Sequence, residues 1–324
     1  MSKIPVTVIT GFLGSGKTTL LNNLIKKYPN KKFAIIENEF GATNIDSELV
    51  TNVKNEDIFE LSNGCICCSL NAELYQVLQK LLSSGLGFNH LLIETTGIAN
   101  PGSIIAPFVT DFQIKAQFQL DSVVCLVDAE HVKTNLEKEE VTAKQIATAD
   151  TLLLNKIDLI SPKEQKDLSE LLSEMNSQAR LYTTSFSDIN NHQIIGVEAY
   201  NMANIYRFVL NVANKQKDTS GPKPDNHGIE AHCFSLKKPL NQEAFALWLE
   251  AFLQFNPETI YRVKGIVDFK GVSNRILVQS VHTRIQANVG RPWDNSEERI
   301  SQLVIIGKQL NKEIIQKNLE ELSN

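Results

Sequence analysis

The 324-residue sequence lacks features that would place it in several classes of protein. No run approaches the roughly 20 consecutive apolar residues of a membrane-spanning helix, and the amino terminus shows no secretory-signal pattern. The formal net charge is -5, so there is no overall basic field to hold a nucleic acid backbone. These absences predict a cytoplasmic protein that binds neither membrane nor nucleic acid.

Cysteine is scarce and unevenly placed. Of the five cysteines, Cys65, Cys67 and Cys68 crowd together, whereas Cys125 and Cys233 stand alone in apolar runs that predict burial. An odd, clustered count in a cytoplasmic chain indicates metal or redox chemistry rather than a disulfide framework. No second cysteine pair completes a four-thiolate site, so another ligand must come from a carboxylate, an imidazole, water or a partner protein.

The first half of the chain alternates short apolar runs with helical patterns. We expect strands at 6–10, 32–37, 91–94, 122–128 and 151–155, and helices at 18–27, 72–82, 141–149 and 163–175. Near-continuous apolar strands alternating with helices are typical of a parallel sheet that is buried on both faces. The pattern predicts an α/β domain whose mostly parallel sheet is covered by helices on both faces.

A polar, proline-containing stretch at 215–228 predicts a linker between a domain at 1–214 and a smaller domain at 229–324. Beyond it we expect strands at 229–236, 260–269, 275–287 and 302–306, and helices at 241–255 and 311–322. Few parallel crossovers are available in this order. The smaller domain is therefore predicted to be α+β, built on an antiparallel sheet.

Residues 11–18 read GFLGSGKT and fit the P-loop pattern, directly after a strand and at the start of a helix. The glycines let successive backbone N–H groups point at a β-phosphate, and the helix N-terminus adds its positive dipole. We expect Lys17 to neutralise the β- and γ-phosphates and Thr18 to hold Mg²⁺. The predicted phosphate-binding residues are Gly11, Gly14, Ser15, Gly16, Lys17, Thr18 and Thr19.

Residues 155–158 read NKID at the end of an apolar run, which is the guanine-reading pattern N-K-x-D. The Asp158 carboxylate can accept from both N1–H and N2–H₂ of guanine, which adenine cannot offer. Asn155 can bind either the P-loop or the base, and the stem of Lys156 can cover the base face. The combination predicts GTP and GDP, rather than ATP, as ligands.

Two strands end in an acid that could face Mg²⁺, Glu94 and Asp128. Glu94 is preferred because Gly97 follows three residues later, as in a D-x-x-G switch, and its N–H could sense the γ-phosphate. Asp128 is interpreted as a residue that caps the turn after its strand. The predicted catalytic set is therefore Lys17, Thr18, Glu94 and Gly97, with no general base identified.

The cysteine cluster lies in a glycine-flanked turn, NGCICCS, between the P-loop and Glu94. Thiolates select soft or borderline metals such as Zn²⁺, with Co²⁺ or Cu(I) as competitors. A redox-active thiol cluster and buried packing cysteines are the alternatives. The position along the chain suggests that a metal bound here responds to the γ-phosphate.

The segments GFLGSGKTTLL, ENEFG, NGCICCS, IETTGIANP and NKID occur in one order. Together they resemble the CobW-like GTPases, relatives of the nickel-inserting maturation GTPases of urease and hydrogenase. The likeness continues through RVKGIVDFKGVSNRILVQSVH, RPW and LVIIG, so it covers most of the chain.

This resemblance implies a slow GTPase domain with a smaller C-terminal domain. It also implies a metallochaperone that binds Zn²⁺, or Co²⁺ or Ni²⁺, and serves a client metalloprotein. The implied metal ligands are Glu37, Glu39 and the cysteines, of which Glu37 and Cys67 match the family's own ligands. Glu37 also opens the predicted first switch, 37–46. Ala42 stands where relatives carry a carboxylate, and the histidine-rich tract of some members is missing, which argues against bulk metal storage.

Two other functions remain open from the sequence, an ATP-dependent kinase or transferase and a non-catalytic metal or redox adaptor. His227, His232 and His282 could complete a metal site in the second domain, or could be ordinary hydrogen-bonded or solvent-facing histidines. The oligomeric state is open, a homodimer included.

Overall fold

The computed structural model describes residues 3–37, 58–60, 70–85, 87–200, 204, 209, 228–281, 283–294 and 296–323, with the backbone alone at 58–60, 70–73 and 281. The chain forms two compact units. The first comprises Met1–Glu170 with Ala179–Glu198, and the second comprises Leu171–Gln178 with Ala199–Asn324. Of the predicted linker only Gly228 is described, so the boundaries at 214 and 228 stay predictions.

The first unit contains a seven-stranded sheet in the order β3-β2-β4-β1-β5-β6-β7. All neighbouring strands are parallel, which confirms the predicted α/β fold. Because the carboxyl ends of parallel strands meet at one edge, the residues that end these strands are brought together there. The strands are β1 (Ile4–Gly11), β2 (Phe33–Glu37), β3 (Ile58–Glu60), β4 (His90–Glu94), β5 (Phe118–Asp128), β6 (Thr151–Asn155) and β7 (Arg180–Thr183).

The helices of this region connect the parallel strands. Leu20, Leu21 and Leu24 of the first helix pack with Ile9 and Val124 of the sheet in one buried cluster. No helix among the described residues is long and apolar enough to cross a bilayer. The helices are α1 (Lys17–Lys27), α2 (Leu70–Ser83), α3 (Pro101–Thr110), α4 (Phe112–Gln117), α5 (Val132–Lys138), α6 (Glu140–Thr148) and α7 (Pro162–Met175).

The second unit contains a five-stranded antiparallel sheet in the order β11-β10-β9-β12-β8. Phe245 and Leu249 of its longer helix are buried in the core of this unit, and Trp248 and Phe252 pack against that core. The predicted α+β architecture is confirmed. The elements are β8 (Ile229–Leu236), α8 (Gln242–Phe255), β9 (Ile260–Val267), β10 (Asn274–Val281), β11 (Arg284–Pro292), β12 (Ser301–Lys308) and α9 (Lys312–Glu321).

The prediction of a single strand at 275–287 is wrong. The chain turns between Val281 and Arg284, which are paired across the β10–β11 hairpin. Residues 281–284 read VHTR, without the glycine, asparagine, aspartate or proline that marks most tight turns. The β-like pattern therefore runs through the turn without a visible break.

A buried polar network lies near the amino end of β4, away from the strand ends that carry the motifs. His90 Nε2 lies 2.9 Å from Thr7 Oγ1, and this hydroxyl donates to Asp121 Oδ2 at 3.2 Å. Asp121 also accepts from the backbone N–H groups of Gly196 and Glu198. Burial, with a smaller contribution from the positive charge of Lys31, lowers the pKa of His90 to about 3.

We predict that this histidine makes the fold sensitive to acid. The unfolded chain binds a proton at His90 below about pH 6.5 and the folded chain does not until about pH 3, so stability falls as the pH drops through this window. Asp121, whose pKa burial raises, acts with the opposite sign. Between pH 6.5 and 4.5 the His90 contribution amounts to at most about 3 kcal/mol.

Urea unfolding of wild type and His90→Gln at pH 7.0 and 4.5, followed by circular dichroism, measures this effect. The variant should lose less stability on acidification than wild type. His131→Gln, which replaces a histidine with 58% side-chain exposure, shows whether loss of any histidine has the same result. Equal acid sensitivity in wild type and His90→Gln would contradict the assignment.

Candidate functional site

The loop between β1 and α1 closes around the lysine that begins the helix. Gly11, Gly14 and Gly16 have φ values of 140°, 72° and 104°, the left-handed region that favours glycine. Lys17 Nζ donates to the carbonyl oxygens of Gly11 at 3.0 Å and Phe12 at 3.2 Å. The residues predicted to bind phosphates thus form one compact loop, followed by Thr18 and Thr19 in the first turn of α1.

Asn155 joins the guanine-reading segment to the P-loop. At the buried end of β6, its Nδ2 donates to Ser15 O at 2.8 Å and to Ser187 Oγ at 3.0 Å. Its Oδ1 accepts from the backbone N–H of Ser187 at 2.9 Å, and Ser187 Oγ donates to Gly16 O at 3.0 Å. Of the two roles left open for Asn155, the structure shows the bond to the P-loop.

The segment after β7 is a part of the site that sequence reasoning missed. Phe186 and Ser187 have φ values of 55° and 53°, which is strained for residues other than glycine. Asn23 Nδ2 of α1 donates to both of their carbonyl oxygens, at 3.1 and 2.8 Å, and stabilises this backbone. The ring of Phe186 is 76% exposed. No motif marks these residues, because their partners lie far away in the sequence.

Lys156 and Asp128 form an ion pair beside the predicted base site. Lys156 Nζ lies 2.7 Å from Asp128 Oδ2, and Asp128 Oδ1 accepts from the backbone N–H groups of Glu130 and His131 just before α5. Burial raises the pKa of Asp128, but the hydrogen bond and charge of Lys156 and the hydrogen bonds from Glu130 and His131 together outweigh this, so the pKa lies below its usual value. Asp128 is thus committed to the turn and to Lys156, which leaves Glu94 as the acid facing the P-loop.

Thr18 and Glu94, the two residues predicted to face Mg²⁺, lie side by side. Thr18 Oγ1 donates to Glu94 Oε1 at 3.1 Å, and the Glu94 side chain is buried. A hydroxyl and a carboxylate are hard oxygen ligands, which is the donor chemistry that Mg²⁺ prefers. These two residues fit the ion.

The second switch segment, residues 94–99, touches the P-loop through its glycine. A Cβ added at Gly97 would lie 2.5 Å from the backbone nitrogen of Leu13. This close approach requires glycine and brings the segment against the phosphate-binding loop.

Asp158 lies in an exposed turn of 3-10 helix, Ile157–Leu159, after β6.

Glu37, the final residue of β2, is paired in register with Glu94 on β4 and with Glu60 on β3. Neighbouring strands lie about 4.8 Å apart, so Glu37 is one strand away from the predicted Mg²⁺-side acid. Its side chain is buried. The other predicted metal ligands, Glu39, Cys65, Cys67 and Cys68, lie outside the described residues, as do Ala42, His227 and His282.

The remaining described histidine candidate, His232, has a local partner, and the two lone cysteines are buried thiols. His232 Nε2 lies 2.6 Å from Glu230 Oε2 on β8. Burial raises the pKa of the Cys233 thiol to about 11, and burial raises that of Cys125 in β5 to about 12. These two thiols are therefore poor metal ligands compared with an ionised cysteine.

Comparisons with known proteins match this arrangement. Residues 5–183 match the family described as CobW/HypB/UreG, nucleotide-binding domain, and residues 229–323 match the cobalamin synthesis protein cobW C-terminal domain. The chain is 33% identical over 323 residues to the zinc chaperone YjiA of Escherichia coli, covering 97% of each. It is 29% identical to zinc-regulated GTPase metalloprotein activator 1 of Schizosaccharomyces pombe, covering 82% of this chain and 72% of that one.

Among solved structures, the chain is similar to the Zn(II)-bound YjiA GTPase from E. coli, with a TM-score of 0.71, 28% sequence identity and full coverage of both chains. The family match includes the P-loop, Glu37, Glu94 and the N-K-x-D segment. The chain therefore belongs to the CobW/HypB/UreG family of nucleotide-binding proteins and carries the CobW-type C-terminal domain.

Proposed function

We propose that this protein binds and slowly hydrolyses GTP, and that it couples this cycle to the binding and transfer of Zn²⁺ or a related divalent ion. One observation carries the nucleotide part of the proposal. Asn155 of the guanine-reading motif is hydrogen-bonded to the P-loop at Ser15, so a nucleotide that meets Asp158 with its base can reach Lys17 with its phosphates.

The chemistry at the phosphates follows from the residues around Lys17. The Lys17 ammonium, which is hydrogen-bonded to Gly11 O and Phe12 O, would neutralise the β- and γ-phosphates. Thr18 and Glu94 would hold Mg²⁺, which would neutralise charge on the phosphates. Gly97 approaches the phosphate-binding loop at Leu13, and its backbone N–H would detect the γ-phosphate.

The metal part of the proposal is supported by the register of the strands. Glu37 stands between Glu94, on the nucleotide side, and Glu60, which ends the strand leading to the cysteine cluster. We assign the transported ion to Glu37, Glu39, Cys65, Cys67 and Cys68. Relatives over most of this length carry the names zinc chaperone and zinc-regulated GTPase metalloprotein activator, which favours Zn²⁺ as the ion.

The coupling follows from this adjacency. Binding of GTP would order the segments that follow Glu37 and Glu94, and hydrolysis would relax them, so the affinity for the metal changes with the state of the nucleotide. The released ion would pass to a client metalloprotein. The proposal includes a cytoplasmic location, where cysteines stay reduced and available as thiolates.

A zinc titration with and without a non-hydrolysable GTP analogue tests this function. We expect the analogue to change the zinc dissociation constant by about 10-fold, a coupling free energy of about 1.4 kcal/mol. Cys67→Ala and Glu37→Gln should weaken zinc binding and reduce this coupling. Cys233→Ala, which removes a protonated thiol that belongs to the second unit, is the matched control and should behave as wild type.

The outcomes separate the two halves of the proposal. A zinc affinity that does not respond to the nucleotide would remove the coupling but leave the GTPase assignment standing. Wild-type zinc binding in Cys67→Ala would remove the assignment of the cysteine cluster.

A further inference from the structure

A buried glutamine lies behind the second switch segment. Gln145 belongs to α6, and its side chain is 1% exposed. Its Nε2 donates to the carbonyl oxygen of Gly97 at 3.0 Å and to that of Ala99 at 3.2 Å. Because both partners are acceptors, only the orientation that turns the amide nitrogen towards the loop can form these bonds.

The burial of this amide needs an explanation. A polar side chain in the interior is unfavourable compared with an apolar one of similar size unless hydrogen bonds compensate for its lost hydration. Among the residues that the structure describes, Gln145 Oε1 has no hydrogen-bond partner. The bonds to Gly97 and Ala99 are therefore the interactions that compensate for burying the side-chain amide of Gln145.

These bonds act on the one glycine of the segment. Gly97 has to be glycine because of its approach to Leu13, and glycine has the widest choice of backbone conformations. Fixing the carbonyl groups of residues 97 and 99 restricts rotation of the peptide groups around Gly97. The Gly97 N–H belongs to the preceding peptide group, whose carbonyl, Thr96 O, accepts from the Ala99 N–H at 3.1 Å. Gln145 holds the Gly97 and Ala99 carbonyls of this same turn, so it supports the direction of the Gly97 N–H through the turn.

We propose that Gln145 is a positioning residue for GTP hydrolysis, which holds the second switch segment so that the Gly97 N–H meets the γ-phosphate. This inference rests on the proposed GTPase function. The inference also couples α6 to movement of the segment. A shift of residues 97–99 must either break both hydrogen bonds or move the Gln145 side chain. GDP lacks the γ-phosphate, so its binding does not depend on this contact.

Gln145→Met tests the proposal, because methionine has nearly the same length and volume but cannot donate a hydrogen bond. We expect kcat for GTP hydrolysis to fall about 10-fold, because two hydrogen bonds of ordinary strength are lost. The preference for a non-hydrolysable GTP analogue over GDP should fall by about the same factor. The dissociation constant for GDP should stay within about 3-fold of wild type. The melting temperature reports whether the fold is intact.

The matched control is Thr142→Val, one turn earlier on α6. The Thr142 side chain is buried, and its hydroxyl has no hydrogen-bond partner within the described part of the chain. This variant removes a buried polar group from the same helix without breaking a bond to the segment, so it should hydrolyse GTP at the wild-type rate.

Three results would overturn the proposal. Wild-type kcat in Gln145→Met would show that the bonds do not position Gly97. A parallel loss of GDP and GTP affinity together with a lower melting temperature would show a purely structural role. Absence of GTP hydrolysis in the wild-type protein would overturn the proposed function as well. This result is obtained before any variant is compared, so it is distinguished from failure of the Gln145 proposal alone.

Discussion

Gly16→Ala should abolish tight nucleotide binding. Gly16 has a φ of 104°, and a Cβ there would lie 2.6 Å from Asn155 Nδ2 and 2.7 Å from Ser187 Oγ. The side chain would therefore push apart the residues that join the P-loop to the guanine-reading segment. Left-handed strain of about 1–2 kcal/mol together with loss of the Asn155 bonds predicts a decrease in GTP and GDP affinity of about 100- to 1,000-fold.

Fluorescence titration with a labelled guanine nucleotide measures this loss, and Gly14→Ala is the comparison. Gly14 also has a positive φ, of 72°, but a Cβ there would meet no protein atom within 4 Å. Gly14→Ala should therefore show only the effect of backbone strain, about 10-fold. If both variants lose affinity equally, the contact with Asn155 is not what makes glycine necessary at position 16.

Asp158→Asn should change the base that the protein selects. Guanine presents two N–H donors to the carboxylate, and an amide can accept from only one of them while its own N–H₂ faces the other. Loss of a charge-assisted bond and the new donor–donor contact predict a decrease in GTP affinity of about 100-fold. Xanthine carries a carbonyl where guanine carries its amino group, so xanthosine triphosphate should bind more tightly to the variant than to wild type.

Competition of GTP, ATP and xanthosine triphosphate for the labelled nucleotide distinguishes the functions that the sequence leaves open. Asp167→Asn, an exposed position on α7 with the same change in charge, should keep the preference for GTP. A wild-type preference for ATP that survives Asp158→Asn would favour the kinase or transferase. Tight GTP binding with no hydrolysis would favour a non-catalytic adaptor.

The motifs could be predicted from the sequence because each one consists of residues that are neighbours along the chain. The P-loop needs glycines, a lysine and a threonine at fixed spacings between a strand and a helix, and all of its atoms come from residues 11–18. N-K-x-D is likewise contained in one turn. The alternation of apolar strands with helices was enough to predict the parallel sheet. The edge at which these motifs meet follows from the strand order that the structure shows.

Elements without a strong local pattern were missed or misread. The edge strand β7 is only partly buried and has no continuous apolar run. The hairpin of β10 and β11 turns through residues that do not usually form turns. In both cases the structure depends on pairing with a neighbouring strand, which local composition does not reveal.

The tertiary structure alone decided which residues support the motifs. Ser187 and Asn23 secure the base side of the site, Gln145 holds the second switch segment, and Glu37 is paired with Glu94. The partners in these three hydrogen bonds are between 32 and 164 residues apart in the sequence. A hydrogen bond over such a separation depends on how strands are ordered and how helices pack against them, whereas the chemistry of a motif depends on neighbours along the chain.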